Sequence, residues 1–159
     1  MKHIPWKYLA GLVDGEGCID VQVTNMQQGQ YVSVRPRLRI CLSVVAKEVI
    51  DLLYNNFGGY IQERNFDNPN WSNALSWELP GYKQACPVLR NIVNHLIIKK
   101  EQVRFCLWME TNLKGKHVST DVRDAIREEL KLMKRDPHRL SEKAQERILN
   151  LLGCDSRNI

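Results

Sequence analysis

The sequence predicts an α+β fold in which helices cover one face of a single four-stranded antiparallel sheet. Three observations carry that expectation. Four short segments alternate apolar and polar residues, as half-buried strands do. Helically spaced apolar residues precede, separate and follow those strands, in the order α-β-β-α-β-β-α and then further helices. The chain of 159 residues, 43% of them apolar, suits one domain (1–159) with a core of its own, and no linker or repeat divides it.

Pro5 to Asp14 reads as a short helix: Pro5 suits a first turn, Trp6, Leu9, Ala10 and Val13 recur at helical spacing, and Gly15-Glu16-Gly17 ends it. The period then changes to two. Ile19 to Thr24 is a strand, and Asn25 to Gln30 a polar turn. A second strand runs from Tyr31 to Val44, with Leu38, Ile40, Leu42 and Val44 on one face and Arg35, Arg37, Arg39, Cys41 and Ser43 on the other. Pro36 cannot donate to a ladder, so this strand either begins after it or lies at an edge there. Lys47 to Phe57 is helical again, and Gly58-Gly59 stops it. Tyr60 to Arg64 is the third strand, with Tyr60, Gln62 and Arg64 on one side. An Asn- and Pro-rich loop spans 65–73. Ala74 to Leu79 is the fourth strand, with Leu75, Trp77 and Leu79 opposite Ala74, Ser76 and Glu78; Pro80-Gly81 closes it. Helical spacing then covers Tyr82–Leu96, Lys99–Asn112, Asp121–Lys134 and Ser141–Leu152. Pro87 kinks or restarts the first of these, and Ser141 and Gly153 are the expected caps of the last.

Composition removes several classes. No apolar run approaches the roughly 20 residues of a membrane span. The opening MKHIPWKYLAG runs straight into Asp14 and Glu16, so no signal peptide is expected. Five scattered cysteines (18, 41, 86, 106, 154) without a CxxC pair suit a reducing, intracellular setting and no zinc site. Organelle, prokaryotic and archaeal settings are not distinguished. The net charge is +5, yet residues 1–70 carry seven basic and seven acidic side chains, and residues 71–159 carry sixteen against eleven. Bulk charge is therefore a poor argument for a polyanionic partner, and local patterning decides.

The segment Leu9-Ala10-Gly11-Leu12-Val13-Asp14-Gly15-Glu16-Gly17 holds most of the chemistry. Gly11 and Gly15 are four apart and share a helical face, where small residues let another backbone approach. A second copy of the same helix across a two-fold axis is the economical partner. Each copy then delivers a Glu16 to the same place, and two carboxylates so close repel unless a divalent cation sits with them. Hard oxygen ligands favour Mg²⁺, which with phosphate oxygens in its shell can activate water for phosphodiester hydrolysis. Taken alone, Gly15-Glu16-Gly17 is a helix end with a solvated glutamate; the nine-residue context favours function.

That segment resembles the defining motif of the LAGLIDADG homing endonucleases. One copy in a chain of this length resembles their single-motif, homodimeric, intron-encoded branch. The resemblance in element order covers about residues 5–112; the remainder, about 113–159, looks like the branch's variable helical extension. It implies the LAGLIDADG αββαββα fold and site-specific cutting of both strands of a long pseudo-palindromic duplex, with 3′ overhangs and intron mobility as the result. By the same resemblance Glu16 is a metal ligand, the Gly15 carbonyl contributes, and Lys99 polarises the scissile phosphate or the water around the metal. Mg²⁺ is the implied cofactor, with Mn²⁺ or Ca²⁺ able to substitute in binding, and Tyr8, Gly11, Leu12 and Gly15 form the implied dimer interface. Asp14 is given a structural role at the helix end. The branch tends to carry a Gln and an Arg near the end of the second strand, whereas Val44-Val45-Ala46-Lys47-Glu48 offers only Lys47. The rival readings on the same fold are an intron-RNA-binding maturase and a non-cleaving DNA-binding module; neither needs Glu16 and Lys99.

On that fold the polar sheet face lies in the major groove of double-stranded DNA. Arg35, Arg37, Arg39 and Arg64 suit guanine or phosphate, and Gln22 and Gln62 suit adenine. Thr24, Ser43, Ser76 and Tyr60 are adaptable donors, Asp20 and Glu78 acceptors that also repel phosphate, and Cys41 a small neutral filler. For each of these an exposed strand side chain without a ligand is about as good a reading; the arginine triplet makes the face as a whole a candidate. His3, His95, His117 and His138 share no metal-binding spacing. Trp6, Trp71, Trp77 and Trp108 read as packing residues, with loop Trp71 the one candidate for DNA contact; Lys131–Arg139 could touch flanking phosphates but reads better as a solvated helix end.

Overall fold

The protein is described from a computed structural model, which covers residues 2–25, 30–65 and 67–154. Helix α1 (Trp6–Glu16) leads directly into strand β1 (Gly17–Asn25), followed by β2 (Tyr31–Ser43), a 3₁₀ turn (Val44–Ala46), α2 (Lys47–Phe57), β3 (Tyr60–Arg64) and β4 (Ala74–Pro80). Then come α3 (Gly81–Ile92), a second 3₁₀ turn (Val93–His95), α4 (Lys100–Leu113), the short β5 (Val118–Ser119), α5 (Thr120–Arg135) and α6 (Ser141–Gly153). The expected element order is present. Most of the polar turn expected over Asn25–Gln30, namely 26–29, lies outside the described residues.

The sheet runs β1-β2-β4-β3, all pairs antiparallel, with β5 added to the start of β2. The long β2 is central because it serves two partners in succession: β1 along Val32–Ile40 and β4 along Arg37–Ser43. Pro36 sits one residue before the β4 ladder starts, so the strand continues through it at a free edge. Alternation puts Ile19, Val21, Val34, Leu38, Ile40, Trp77 and Leu79 on the covered face, all of them buried. Against them pack Leu9, Ala10 and Val13 of α1, Ile50 and Leu53 of α2, and the inward faces of α3 and α4. Trp77, fully buried, donates its indole N–H to the Gly58 carbonyl at 2.8 Å and stacks obliquely on Phe57. Gly59, at φ +82°, lets the chain pass this strand: a Cβ there would meet the Glu78 carbonyl oxygen at 2.1 Å.

Several local expectations need correction. Ser141 is the first residue of α6, with Leu140 at the cap position. Its N–H bonds the Glu101 carboxylate at 2.9 Å, so it serves tertiary packing. Gly153 is still helical and Cys154 caps the helix. The serine that does cap is Ser119, whose hydroxyl accepts from the Val122 N–H at the start of α5. Helix α3 runs on through Pro87 and ends at Ile92, not Leu96. The sheet gains a fifth strand that two residues of no marked periodicity did not announce.

The two last helices are tied by a buried charge. Glu129, 1% exposed at its side chain, takes a bidentate pair of hydrogen bonds from Arg139 (3.0 and 3.1 Å) and a third from Arg147 (3.1 Å). Among the described residues no helix is long and apolar enough to cross a membrane. We expect Glu129→Ala to lower stability by about 3 kcal/mol in urea denaturation, the low end for losing one partner of a buried ion pair, because both guanidinium groups keep access to water.

Candidate active site

Asp14 fixes the end of α1. Its carboxylate accepts from three consecutive backbone N–H groups, those of Ile97 (2.8 Å), Ile98 (3.1 Å) and Lys99 (2.9 Å), just where α4 begins and such donors lack helical partners. The carboxylate thus caps α4 from another helix and adds a favourable negative charge at its N-terminus. In return the Lys99 ammonium donates to the Asp14 carbonyl oxygen at 2.7 Å. Three residues further on, Gly17 starts β1 with no helix-to-strand loop. A Cβ there would lie 2.6 Å from the Val13 carbonyl oxygen, so only glycine fits this junction.

The result is two charges of opposite sign beside one another with different environments. Glu16 is exposed on the last turn of α1, and Lys99 is 9% exposed, rather than the solvated lysine of a helix start. Burial pushes the Lys99 amine below the ordinary lysine value, Asp14, Cys18 and Glu16 oppose that shift, and Lys134 adds to it. Lys134 belongs to α5, which therefore reaches this site. Lys47, the basic group that follows β2 at the start of α2, is paired with Asp51 at 2.5 Å.

Among the described residues, the end of α1 presents the Glu16 carboxylate and the Gly15 carbonyl on exposed residues. Among the described residues no three His, Cys, Asp or Glu side chains converge as a complete set. Two hard oxygen donors at an open helix end do fit a hydrated divalent cation that takes its other ligands from water, phosphate or a second chain.

The thirteen sheet-face residues named from the sequence all share one face by register: Asp20, Gln22 and Thr24 of β1; Arg35, Arg37, Arg39, Cys41 and Ser43 of β2; Tyr60, Gln62 and Arg64 of β3; Ser76 and Glu78 of β4. They are not equally available. Glu78 and Ser76 are buried, at 3% and 0%, and the Ser76 hydroxyl has no partner. Arg37 grips Asp20 with two bonds (2.8 and 2.7 Å), Arg39 adds a third (3.1 Å), and Tyr60 donates to Glu78 at 2.6 Å. The Asp20 bond raises the Arg37 pKa, and the Glu78 bond raises that of Tyr60. Arg35 meets only the Thr24 hydroxyl.

Sequence reasoning missed Arg127 and read Lys131 and Lys134 as part of a solvated helix end. Spaced i, i+4 and i+7, they share one face of α5 and, with Cys18, Asp20 and Arg37, line a cleft of 490 Å³ against β1. Their spacing was visible; their destination was not, because nothing local says which strand α5 covers. On α1, Tyr8, Gly11 and Gly15 form an exposed stripe, and Leu12 beside them is half-buried against the edge of the core. A Cβ built on either glycine meets nothing within 4 Å. Asp14→Ala strands three N–H groups, and we expect it to cost about 2–3 kcal/mol in chemical denaturation.

Residues 9–112 match the family described as LAGLIDADG endonuclease. No curated protein sequence matches the chain. Among solved structures, the homing endonuclease I-CvuI in complex with its target is similar at 21% identity, covering 92% of this chain and 93% of that one with a TM-score of 0.64. The group I intron-encoded homing endonuclease I-CeuI complexed with DNA is 17% identical over 67% of this chain and 55% of its own (TM-score 0.51). The meganuclease I-SmaMI bound to uncleaveable DNA is 13% identical over 84% and 44% (TM-score 0.58). These likenesses extend through the fold, while the family match takes in the α1 segment, the polar sheet face and Lys99; the chain belongs to the LAGLIDADG endonuclease family.

Proposed function

We propose that this chain, working as one domain, is a homodimeric, Mg²⁺-dependent DNA endonuclease that cuts a long pseudo-palindromic duplex. The observation that carries the reading is an exposed Glu16 two residues beyond Asp14, whose carboxylate and carbonyl hold the buried Lys99. A surface built only for binding has no use for an anionic group at its phosphate-facing centre. I-CvuI has been solved on DNA with Ca and with Mg, and the Glu16 and Gly15 oxygens suit that kind of ion.

In this reading the polar sheet face, with Arg35 and Arg64 free of carboxylate partners among the described residues, lies along the duplex and sets its register. Glu16 and the Gly15 carbonyl hold the cation. A divalent ion held there supplies a more acidic water and charge stabilisation at the leaving oxygen. Lys99, anchored on the Asp14 carbonyl, keeps its remaining ammonium hydrogens for a phosphate oxygen or an ordered water. Its partial burial strengthens that interaction, because little solvent screens it.

Support for the dimer comes from the α1 stripe. Tyr8 is 52% exposed, and neither Gly11 nor Gly15 is required by any neighbour within the chain. Ile97, 87% exposed, stands beside the same helix end. Two copies packed through this stripe bring two Glu16 carboxylates to one centre, one for each strand of the duplex.

Cleavage of a randomised duplex library with Mg²⁺ tests the chemistry. Wild type should enrich one near-palindromic cut site. Glu16→Gln should cut at least about 100-fold more slowly, beyond the loss typical of groups that merely support a metal ligand. No cutting by wild type, with binding retained by both, would remove the catalytic claim. For the dimer, Gly11→Leu should leave the circular dichroism spectrum unchanged and raise the dissociation constant measured by sedimentation about 10- to 100-fold, the effect of an overpacked contact.

A further inference from the structure

A line of five side chains crosses the polar face from β1 to β3. Asp20 faces Arg37 across β1–β2, Arg39 faces Glu78 across β2–β4, and Tyr60 faces Glu78 across β3–β4. Arg37 spends Nε and Nη2 on Asp20, the edge that could otherwise grip a guanine in two places. Arg39 places Nη2 on the same Asp20 oxygen at 3.1 Å and Nη1 4.0 Å from Glu78, while Arg37 Nη1 stands 3.8 Å from Glu78. Two cations and two anions cancel at the centre of the face. Arg35 and Arg64 stand outside this balance.

We propose that Asp20 is a specificity-determining positioning residue, which withholds Arg37 and Arg39 from phosphates while leaving their unused N–H groups to read base edges. The inference rests on the DNA-cutting reading above. Its physical basis is that phosphate binding is driven by charge and ignores sequence, whereas base edges are neutral acceptors. A charge-balanced network can still hydrogen-bond a base, but it offers a phosphate no net attraction. Charge-assisted bonds to Asp20 are also among the stronger hydrogen bonds, so the arginines do not leave them for a phosphate that Asp20 and Glu78 repel. The uncharged centre then responds to which bases stand over it, and the free arginines supply sequence-independent grip.

The test is binding of a fluorescent random-sequence duplex across a salt series, by wild type, Asp20→Asn, Arg37→Gln/Arg39→Gln, and the triple variant. Asp20→Asn should bind this DNA more tightly and steepen the log–log salt slope by about 0.9 for each arginine released to a phosphate. In the Arg37→Gln/Arg39→Gln background the same change should leave the slope where it was. Equal steepening in both backgrounds would overturn the inference, since Asp20 would then be only a repelling charge. An unchanged slope in both, with wild type binding, would overturn it alone. Absence of binding by wild type at any salt would overturn the nucleic-acid reading and this inference with it. Glu78→Gln, which uncharges the other carboxylate of the network, gives the same comparison should Asp20→Asn not fold.

Discussion

The geometry of the site depends on one carboxylate. Asp14 satisfies three amide donors that lie 83–85 residues further along the chain, and so binds the first helix to the start of the fourth. Without it the Lys99 N–H would open into a partly buried corner with no acceptor and the other two would be left to water, which is costly. With it, the chain has little freedom over where Lys99 and Glu16 stand. The lysine hooks back onto the Asp14 carbonyl, and the helix must stop two residues later because Gly17 is needed for the turn into β1. One acidic residue of the motif thus works inside the chain, and its neighbour two positions on faces out.

The sheet face shows the same division between groups that serve the chain and groups left for a partner. Cross-strand neighbours on a sheet interact strongly when register places opposite charges face to face. Here register sets Asp20 against Arg37 and Glu78 against Arg39, and the partly buried setting strengthens both pairings. Glu78 is buried only because those guanidinium groups and Tyr60 stand over it. An unpaired glutamate could not occupy that place without a severe desolvation cost.

Much of this was legible in the sequence, for reasons that are themselves physical. Alternation is a local property, so the four main strands and their polar face could be read from one chain. The α1 segment carries its own end signal in Gly17, although Gly15, read as part of the same stop, is still helical. What could not be read depends on long-range placement. The β4 strand lies between β2 and β3, and only that order brings Glu78 to Arg39. Lys99 is buried because Asp14 draws its loop in, a fact that no window around residue 99 contains. Ser141 has a capping residue's chemistry, but Glu101 claims its N–H, so the helix starts one residue early. Arg127, Lys131 and Lys134 show helical spacing, yet a solvated face and a cleft wall look alike until α5 is seated on β1.

The charge count takes on a different meaning once these contacts are known. Residues 1–70 sum to zero, which makes bulk charge a poor argument for a polyanionic partner. That sum hides where the charges sit: Arg37 and Arg39 share Asp20 from the same stretch, and the second carboxylate beside them, Glu78, lies outside it. A net count treats such a cluster as if its charges were spread evenly, whereas a partner meets them one at a time at contact distance, within a Debye length of about 8–10 Å. The surface that results is neutral where the strands are central. Among the described residues, its cations without carboxylate partners lie at Arg35, at Arg64 and along the α5 face. A duplex has the same arrangement, with uncharged base edges inside the groove and phosphates along its rims. The first 70 residues therefore need no excess of positive charge to face DNA, because what has to match is where the charge is left uncompensated.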